Sequence, residues 1–218
     1  MKRTNSMIDL TLDYHAHILP GCDHGSDSVE TSRKQLAMAA AAGVRIVCAT
    51  PHFYPHKESI PSFLQRREAS AQLLRENLTA DAPQLQLGAE VLICDGMERL
   101  DGLSRLCRGE TNELLLEMPF YQWSESIWDT LYALCERRDI EIVLAHAERY
   151  PPEAIEQLIR DNVALQLNSE CLTRPLHRKR YLTWIKNGSV KYLGSDIHML
   201  GNGYRDFEKC RRLLKKEV

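Results

Sequence analysis

His15 and His17 stand one residue apart near the start of the chain, and further imidazoles and carboxylates follow at wide intervals: His24, His52, Glu90, Glu117, His146, Asp196 and His198. Residues i and i+2 of a strand project from one side, so the H-x-H pair can clasp a single ion. A donor set of imidazoles and carboxylates without thiolates suits zinc, manganese or iron. The donors outnumber the three protein ligands of a typical catalytic zinc, so more than one ion is expected, with a glutamate shared between two. Any one histidine at a strand end is more often a hydrogen-bonded structural residue. The joint pattern reverses that reading, because burying so many ionisable groups costs several kcal/mol per unpaired charge unless a counterion is present.

What must position these residues is a series of short apolar runs, each ending near one of them. Strands are expected at Met7–Tyr14, Arg45–Ala49, Leu85–Ala89, Leu114–Met118, Glu141–Ala145, Ala164–Leu167 and Val190–Gly194. Between them lie helices at Ser28–Ala42, Pro61–Leu78, Ser124–Arg138, Pro152–Asn162, Arg178–Asn187 and Tyr204–Lys216, several closed by glycine or opened by serine or proline. Leu92–Gly109 is interrupted by Gly96 and Gly102 and reads as a short helix in an irregular crossover. Strand followed by helix, repeated, predicts an α/β fold with a parallel sheet, and seven such strands fit a barrel. In a parallel barrel the carboxyl ends of the strands gather at one face, where these scattered residues would meet.

The chain has 218 residues, 44% of them hydrophobic, enough for one sizeable core; a single domain over 1–218 is expected. A formal charge of -2 gives no basic field for nucleic acid or an anionic membrane. Met1–Leu10 has no apolar run of signal-peptide length and no stretch approaches a membrane span, so a cytoplasmic protein is expected. The seven cysteines never form C-x-x-C and read as small hydrophobes rather than disulfides or zinc thiolates. No cysteine has an arginine six positions later, as a cysteine phosphatase needs, and neither G-x-x-x-x-G-K-S/T nor G-x-S-x-G occurs. Asp13 is placed to orient an imidazole or to cap a turn, and Phe53, Tyr54, Phe120, Tyr121 and Trp123 crowd the expected mouth, either to receive an aromatic ring or to pack loops. His56 and His177 read as surface residues.

The blocks HAHILPGCDHG, ATPH, GAE, LLLEMPF, LAHAERY and GSDIH together resemble the PHP (polymerase and histidinol phosphatase) superfamily, and within it the bacterial capsule and exopolysaccharide tyrosine-phosphatase branch of CpsB/YwqE type. The resemblance runs from about Met7 to Tyr204. It implies a distorted (β/α)7 TIM-like barrel and three divalent ions, manganese first, with iron or zinc as alternatives. His15, His17, Glu90 and Asp196 would hold the first ion, and Glu90, Glu117 and His146 the second. His52 and His198 match the third site, where His24 stands in place of the branch's usual aspartate. Arg149 matches the arginine placed against the phosphate, its alternative being an ion pair with Glu148 or another surface acid. The implied reaction is phosphomonoester hydrolysis by in-line attack of a hydroxide bridging two ions. The implied substrate is phosphotyrosine on a tyrosine autokinase of polysaccharide export. His24 keeps a small-molecule phosphatase of histidinol-phosphate or sugar-phosphate type in view, and a non-catalytic metal-containing binding protein is the remaining alternative. Relatives usually continue further beyond the last metal motif, so a final helix is expected to be either missing or replaced by a subunit contact, as in a homo-oligomer.

Overall fold

Aliphatic runs rich in Leu, Ile and Val form nine short parallel strands in the computed structural model, which describes residues 8–217. Met7 of the predicted first strand, most of Met1–Leu10 and Val218 lie outside them. Strand β1 is Leu12–Ala16 rather than Met7–Tyr14. Asp9 delays it, because its Oδ1 accepts from the Thr11 amide at 2.8 Å and the Thr11 hydroxyl at 2.7 Å, a local turn that competes with extension. His15 therefore lies inside the strand and His17 just beyond it.

Two predicted strands are each followed by a second, unanticipated short strand. Arg45–Ala49 is β2 (Ile46–Ala49), and after Thr50 and Pro51 comes β3 (His52–Phe53); Leu85–Ala89 is β4 (Gln84–Leu87), and after Gly88 and Ala89 comes β5 (Glu90–Leu92). Proline has no amide hydrogen to donate, so ladder pairing lapses there. The remaining strands are β6 (Glu113–Glu117), β7 (Glu141–Leu144), β8 (Ala164–Asn168) and β9 (Val190–Gly194). Order β1-β2-β4 makes one sheet and β3-β5-β6-β7-β8-β9 the other. Backbone bonds span the gaps, with Gly88 N–H donating to Ala49 O at 2.9 Å and Glu90 N–H to Pro51 O at 3.1 Å. At the other seam, Asp196 N–H donates to His15 O at 2.8 Å and His17 N–H to Ile197 O at 2.9 Å, so β1 lies beside the chain leaving β9.

Helices α1 (Val29–Ala41), α2 (Ile60–Arg75), α3 (Glu125–Cys135), α4 (Pro152–Arg160), α6 (Arg178–Lys186) and α7 (Gly203–Glu217) follow the predicted ones within a few residues. Ser28, Ser59 and Ser124 cap the first three by accepting from Thr31, Ser62 and Ile127 amides. The short helix α5 (Ser169–Thr173) is unanticipated. Residues 97–106 form two 3-10 turns introduced by Gly96 and Gly102 at φ 78 and 83, the irregular crossover expected.

All five residues of β6 are buried, as strands covered on both faces must be. Leu12, Tyr14, Leu115, Val143 and Ala145 form an inner cluster separate from the large core beneath the helices. Among the described residues no helix is long and apolar enough to cross a membrane. All seven cysteines are free; four are buried, two half-buried and Cys135 exposed.

Candidate metal centre

Strand β1 delivers His15 and His17 side by side, with the two Nε2 atoms 3.1 Å apart. Glu90, opening β5, sets Oε2 3.2 Å from His15 Nε2 and 3.1 Å from His17 Nε2. Asp196, just past β9, sets Oδ1 3.5 Å from both. Ligands about 2.1 Å from a tetrahedral ion are separated by about 3.4 Å, so the four atoms have the spacing of one coordination sphere. The same glutamate reaches further: Oε1 lies 2.8 Å from His146 Nε2, and Oε2 lies 3.1 Å from His52 Nδ1. Glu117, the last residue of β6, stands 3.6 Å from His146 and 3.9 Å from His52. Donor atoms of His17, His52 and His198 also lie within 4.8 Å of one another.

Surrounding groups aim these ligands. His15 Nδ1 faces Gln166 Oε1 at 3.2 Å, and the His146 amide donates to that oxygen at 2.7 Å. An amide oxygen only accepts, so His15 carries a hydrogen on Nδ1, which leaves Nε2 to face the cluster. Gln166 donates to Asn168 Oδ1 at 2.9 Å, and Asn168 donates to Asp196 Oδ2 at 2.9 Å, continuing the chain. His17 Nδ1 meets Asp23 Oδ2 at 2.7 Å, and Asp23 also accepts from the His52 and Gly25 amides. Asp13 holds backbone rather than an imidazole, with Oδ1 accepting from Ser195 N–H at 2.8 Å and His15 N–H at 3.3 Å.

Close packing and strain accompany the cluster. A Cβ on Gly194 would come within 2.5 Å of His15 Cβ, so only glycine lets β9 approach β1 there. His146 and Asp196 adopt φ 29 and 50, uncommon for residues other than glycine. Both carry donor atoms of the cluster, the setting in which such strain is retained.

Electrostatics favour a cation. Burial disfavours charge on His17, yet its bonds to Asp23 and Glu90 keep it protonated, raising its pKa to about 10. His146 behaves similarly against Glu117 and Glu90, reaching about 9. Burial likewise opposes ionisation of Glu90, but His15 and its hydrogen-bonded histidines hold it well below the carboxylate range. Burial pushes His52 down to about 4. Protons on these imidazoles thus occupy the electrostatic role that a divalent ion fills. Both ring nitrogens of His52, Glu90 Oε2 and His146 Nδ1 are buried without a hydrogen-bond partner. The unsatisfied atoms of His52 and Glu90, which lie at the cluster, fit metal ligation.

The structure brings together His15, His17, His52, Glu90, Glu117, His146, Asp196 and His198, all nominated from sequence. His52 turns toward Glu90 and Glu117 as well as toward His198, so the expected division among ions is less sharp at that residue. His24 is exposed at the rim, its ring stacked 4.6 Å from His52 and 4.7 Å from His198. Arg149 is half-exposed and pairs with Asp196 Oδ2 at 2.6 Å, not with Glu148. A cleft of about 280 Å³ opens over these groups, with Tyr54, Phe120 and Arg149 in its walls. Phe53 and Trp123, expected at the mouth, are buried instead, Phe53 against Phe63 and Trp123 against Tyr150. His56 and His177 are exposed, as expected. Gln166 and Asn168 escaped notice, although polar residues at i and i+2 in the apolar run Ala164–Asn168 mark two side chains on one face.

The family model for capsular polysaccharide synthesis, CpsB/CapC, matches residues 11–218. The tyrosine-protein phosphatase CpsB of Streptococcus pneumoniae is 26% identical over 209 residues, spanning 87% of this chain and 83% of that protein. A crystal structure from work on YwqE of Bacillus subtilis and CpsB of Streptococcus pneumoniae, described as metal-dependent tyrosine phosphatases, has a similar fold. Its TM-score is 0.76 at 22% identity, covering 95% of this chain and 87% of that one. Phospho-2-dehydro-3-deoxyheptonate aldolase of Thermotoga maritima is a more distant match in fold, with TM-score 0.51 at 14% identity over 94% of this chain and 68% of its own.

Proposed function

Because the chain belongs to the CpsB/CapC family of capsular polysaccharide synthesis, we propose that it is a metal-dependent protein-tyrosine phosphatase acting on a tyrosine autokinase of capsule or exopolysaccharide production. The observation that carries this reading is the convergence of His15, His17, Glu90 and Asp196 donor atoms at 3.1–3.5 Å. His146 and Glu117 extend that cluster through the shared Glu90, while His52 and His198, with His24 at the rim, are read as the third group of ligands. Three ions are assigned, with manganese preferred.

Bound ions would neutralise the phosphoryl oxygens and lower the pKa of a water toward neutrality. The chain's own residues do the rest. Glu90 holds two sets of imidazoles in one geometry. Gln166 and Asp23 fix the ring orientations of His15 and His17, and Asn168 holds Asp196. Arg149, at the cleft wall, presents a planar fork suited to bidentate phosphate contact once it leaves Asp196. Tyr54 stacks on His52 at 5.3 Å and Phe120 on His146 at 5.6 Å, so aromatic walls flank Glu90 and can seat the tyrosine ring.

We read the two sheets as one seven-strand barrel interrupted at Pro51 and Gly88, an interpretation supported by the backbone bonds that span those positions and the β9 to β1 seam. Residues 1–218 are taken as one cytoplasmic domain of PHP type that can assemble into a homo-oligomer. A comparison of phosphotyrosyl peptide, histidinol phosphate and single-stranded DNA as substrates tests the proposal. Turnover of the peptide should dominate, vanish with chelator, return with Mn²⁺ and survive thiol alkylation. Preference for either other substrate, or full rate in chelator, would overturn it.

A further inference from the structure

Residues 171–195 contain six cations, Arg174, Arg178, Lys179, Arg180, Lys186 and Lys191, and no acid, within a chain of net charge -2. Lys191 is accounted for by Glu113 at 2.7 Å and Glu141 at 3.1 Å. Four of the others crowd into Arg174–Arg180, where the chain leaves the carboxyl end of β8 through α5 and enters α6. That end of the strands is the one bearing the metal centre.

Local physics accounts for Arg174 and Arg178 but not for Lys179 and Arg180. Helix α6 begins with Arg178, Lys179 and Arg180, has no acid in its first turn and lacks a side-chain cap. Cations at a helix amino terminus face the positive end of the dipole. The residue before them, His177, sits at φ 63. Among the described residues, Arg178, Lys179 and Arg180 form no salt bridge, whereas Arg174 pairs with Glu170. Arg178 donates to Thr173 O at 2.8 Å, but the side chains of Lys179 and Arg180 have no such partner among the described residues, and cations that oppose helix stability without an internal partner are expected to serve a ligand.

A groove of about 270 Å³ lies beside this shoulder, lined in part by Arg149, Arg174, Leu176, His177 and Tyr181. Arg149 also lines the metal cleft, so the two depressions meet at that residue. The groove's two acids are engaged, Glu170 by Arg174 and Glu148 by the Asn168 amide at 3.2 Å. Leu176, 72% exposed, adds an apolar contact.

We propose that this groove and its cationic shoulder bind an acidic stretch of the substrate protein next to the phosphorylated tyrosine, with Arg149 at the junction. The proposal rests on the phosphotyrosine reading above and deepens it. A concave groove that shares Arg149 with the metal cleft suits an extended polypeptide better than a flat anionic membrane, which would meet only the projecting cations. Recognition by charge on the rim acts chiefly on encounter and is screened by salt.

The full-length, Mn²⁺-loaded protein is compared with a Lys179→Glu/Arg180→Glu variant on phosphotyrosyl peptides whose flanks are Glu-rich, neutral or Lys-rich, and on phenyl phosphate. The wild type should favour the Glu-rich peptide over the neutral one by about tenfold in kcat/KM, mainly through KM. The advantage should collapse in about 0.5 M salt and in the variant, while phenyl phosphate turnover stays unchanged. In parallel, fluorescence anisotropy of an unphosphorylated Glu-rich peptide should show salt-sensitive binding to wild type that the variant loses. Equal KM values for the three peptides, or a preference retained by the variant, overturn the proposal. So does tight binding to phosphatidylserine vesicles without any peptide preference. Failure to hydrolyse any phosphotyrosyl compound would instead sink the phosphatase reading, and peptide binding would still decide the groove.

Discussion

Arg149 Nη2 lies 2.6 Å from Asp196 Oδ2, so the side chain proposed to grip phosphate covers a carboxylate proposed to hold a metal ion. The other oxygen of Asp196 faces His15 and His17. The guanidinium is 44% exposed and lies at the cleft wall, free to exchange this carboxylate for a phosphoryl group when the acid is taken up by metal.

Replacing Arg149 with Ala should therefore reduce kcat/KM toward aryl phosphates by about 2–4 kcal/mol in transition-state stabilisation, with Lys recovering only part. Metal content should be unaltered. Steady-state kinetics with elemental analysis check this, and an Ala variant of wild-type rate would remove Arg149 from the chemistry.

His17 and His146 hold protons in the fold up to about 10 and about 9, against 6.5 ordinarily. In metal-stripped protein, the stabilisation from those protons is complete below the unfolded value of 6.5 and is lost as pH rises through about 9 and then about 10. Thermal melting in chelator should thus show Tm falling from neutral pH toward pH about 10, and metal-loaded protein should be much less sensitive over that window. Metal addition at neutral pH should release protons, measurable by titration calorimetry in buffers of different ionisation enthalpy. A heat independent of buffer would contradict the picture.

Gln166 joins His15, the His146 amide and Asn168. Changing it to Leu should weaken metal affinity about 10–100-fold, as loss of a group that orients ligands does. Competition with a fluorescent chelator reads the effect, and unchanged affinity would show that Gln166 serves packing alone.

Phe120 is 62% exposed yet stacks on His146. Truncation to Ala should raise KM for phenyl phosphate by about 0.5–1.5 kcal/mol of lost ring contact while leaving an alkyl phosphate unaffected. Equal losses on both substrates would mean the ring supports the cleft rather than the substrate.

Much of the centre was legible in the chain because its logic is local. The i, i+2 spacing of His15 and His17, and the repeated arrival of a donor near the end of an apolar run, follow from strand geometry and parallel topology. Strands β3 and β5, beyond Pro51 and Gly88, were harder to see. The predicted apolar runs stop at Ala49 and Ala89, and whether the short stretches beyond them pair depends on which amide meets which carbonyl in the neighbouring strand. Gln166 and Asn168 were overlooked because neither is a usual ligand, and their role exists only through His15 and Asp196.

By itself, the sequence determined the donor types, their order, and the alternation of strand and helix that delivers most of them to one rim, since residue chemistry and short-range periodicity do not depend on distant partners. Tertiary structure alone decided that Glu90 serves four imidazoles, that Arg149 meets Asp196 across 47 positions and that Gln166 meets His15 across 151. Those contacts are set by strand register and close packing at Gly194, quantities that arise only when separated segments are pressed together.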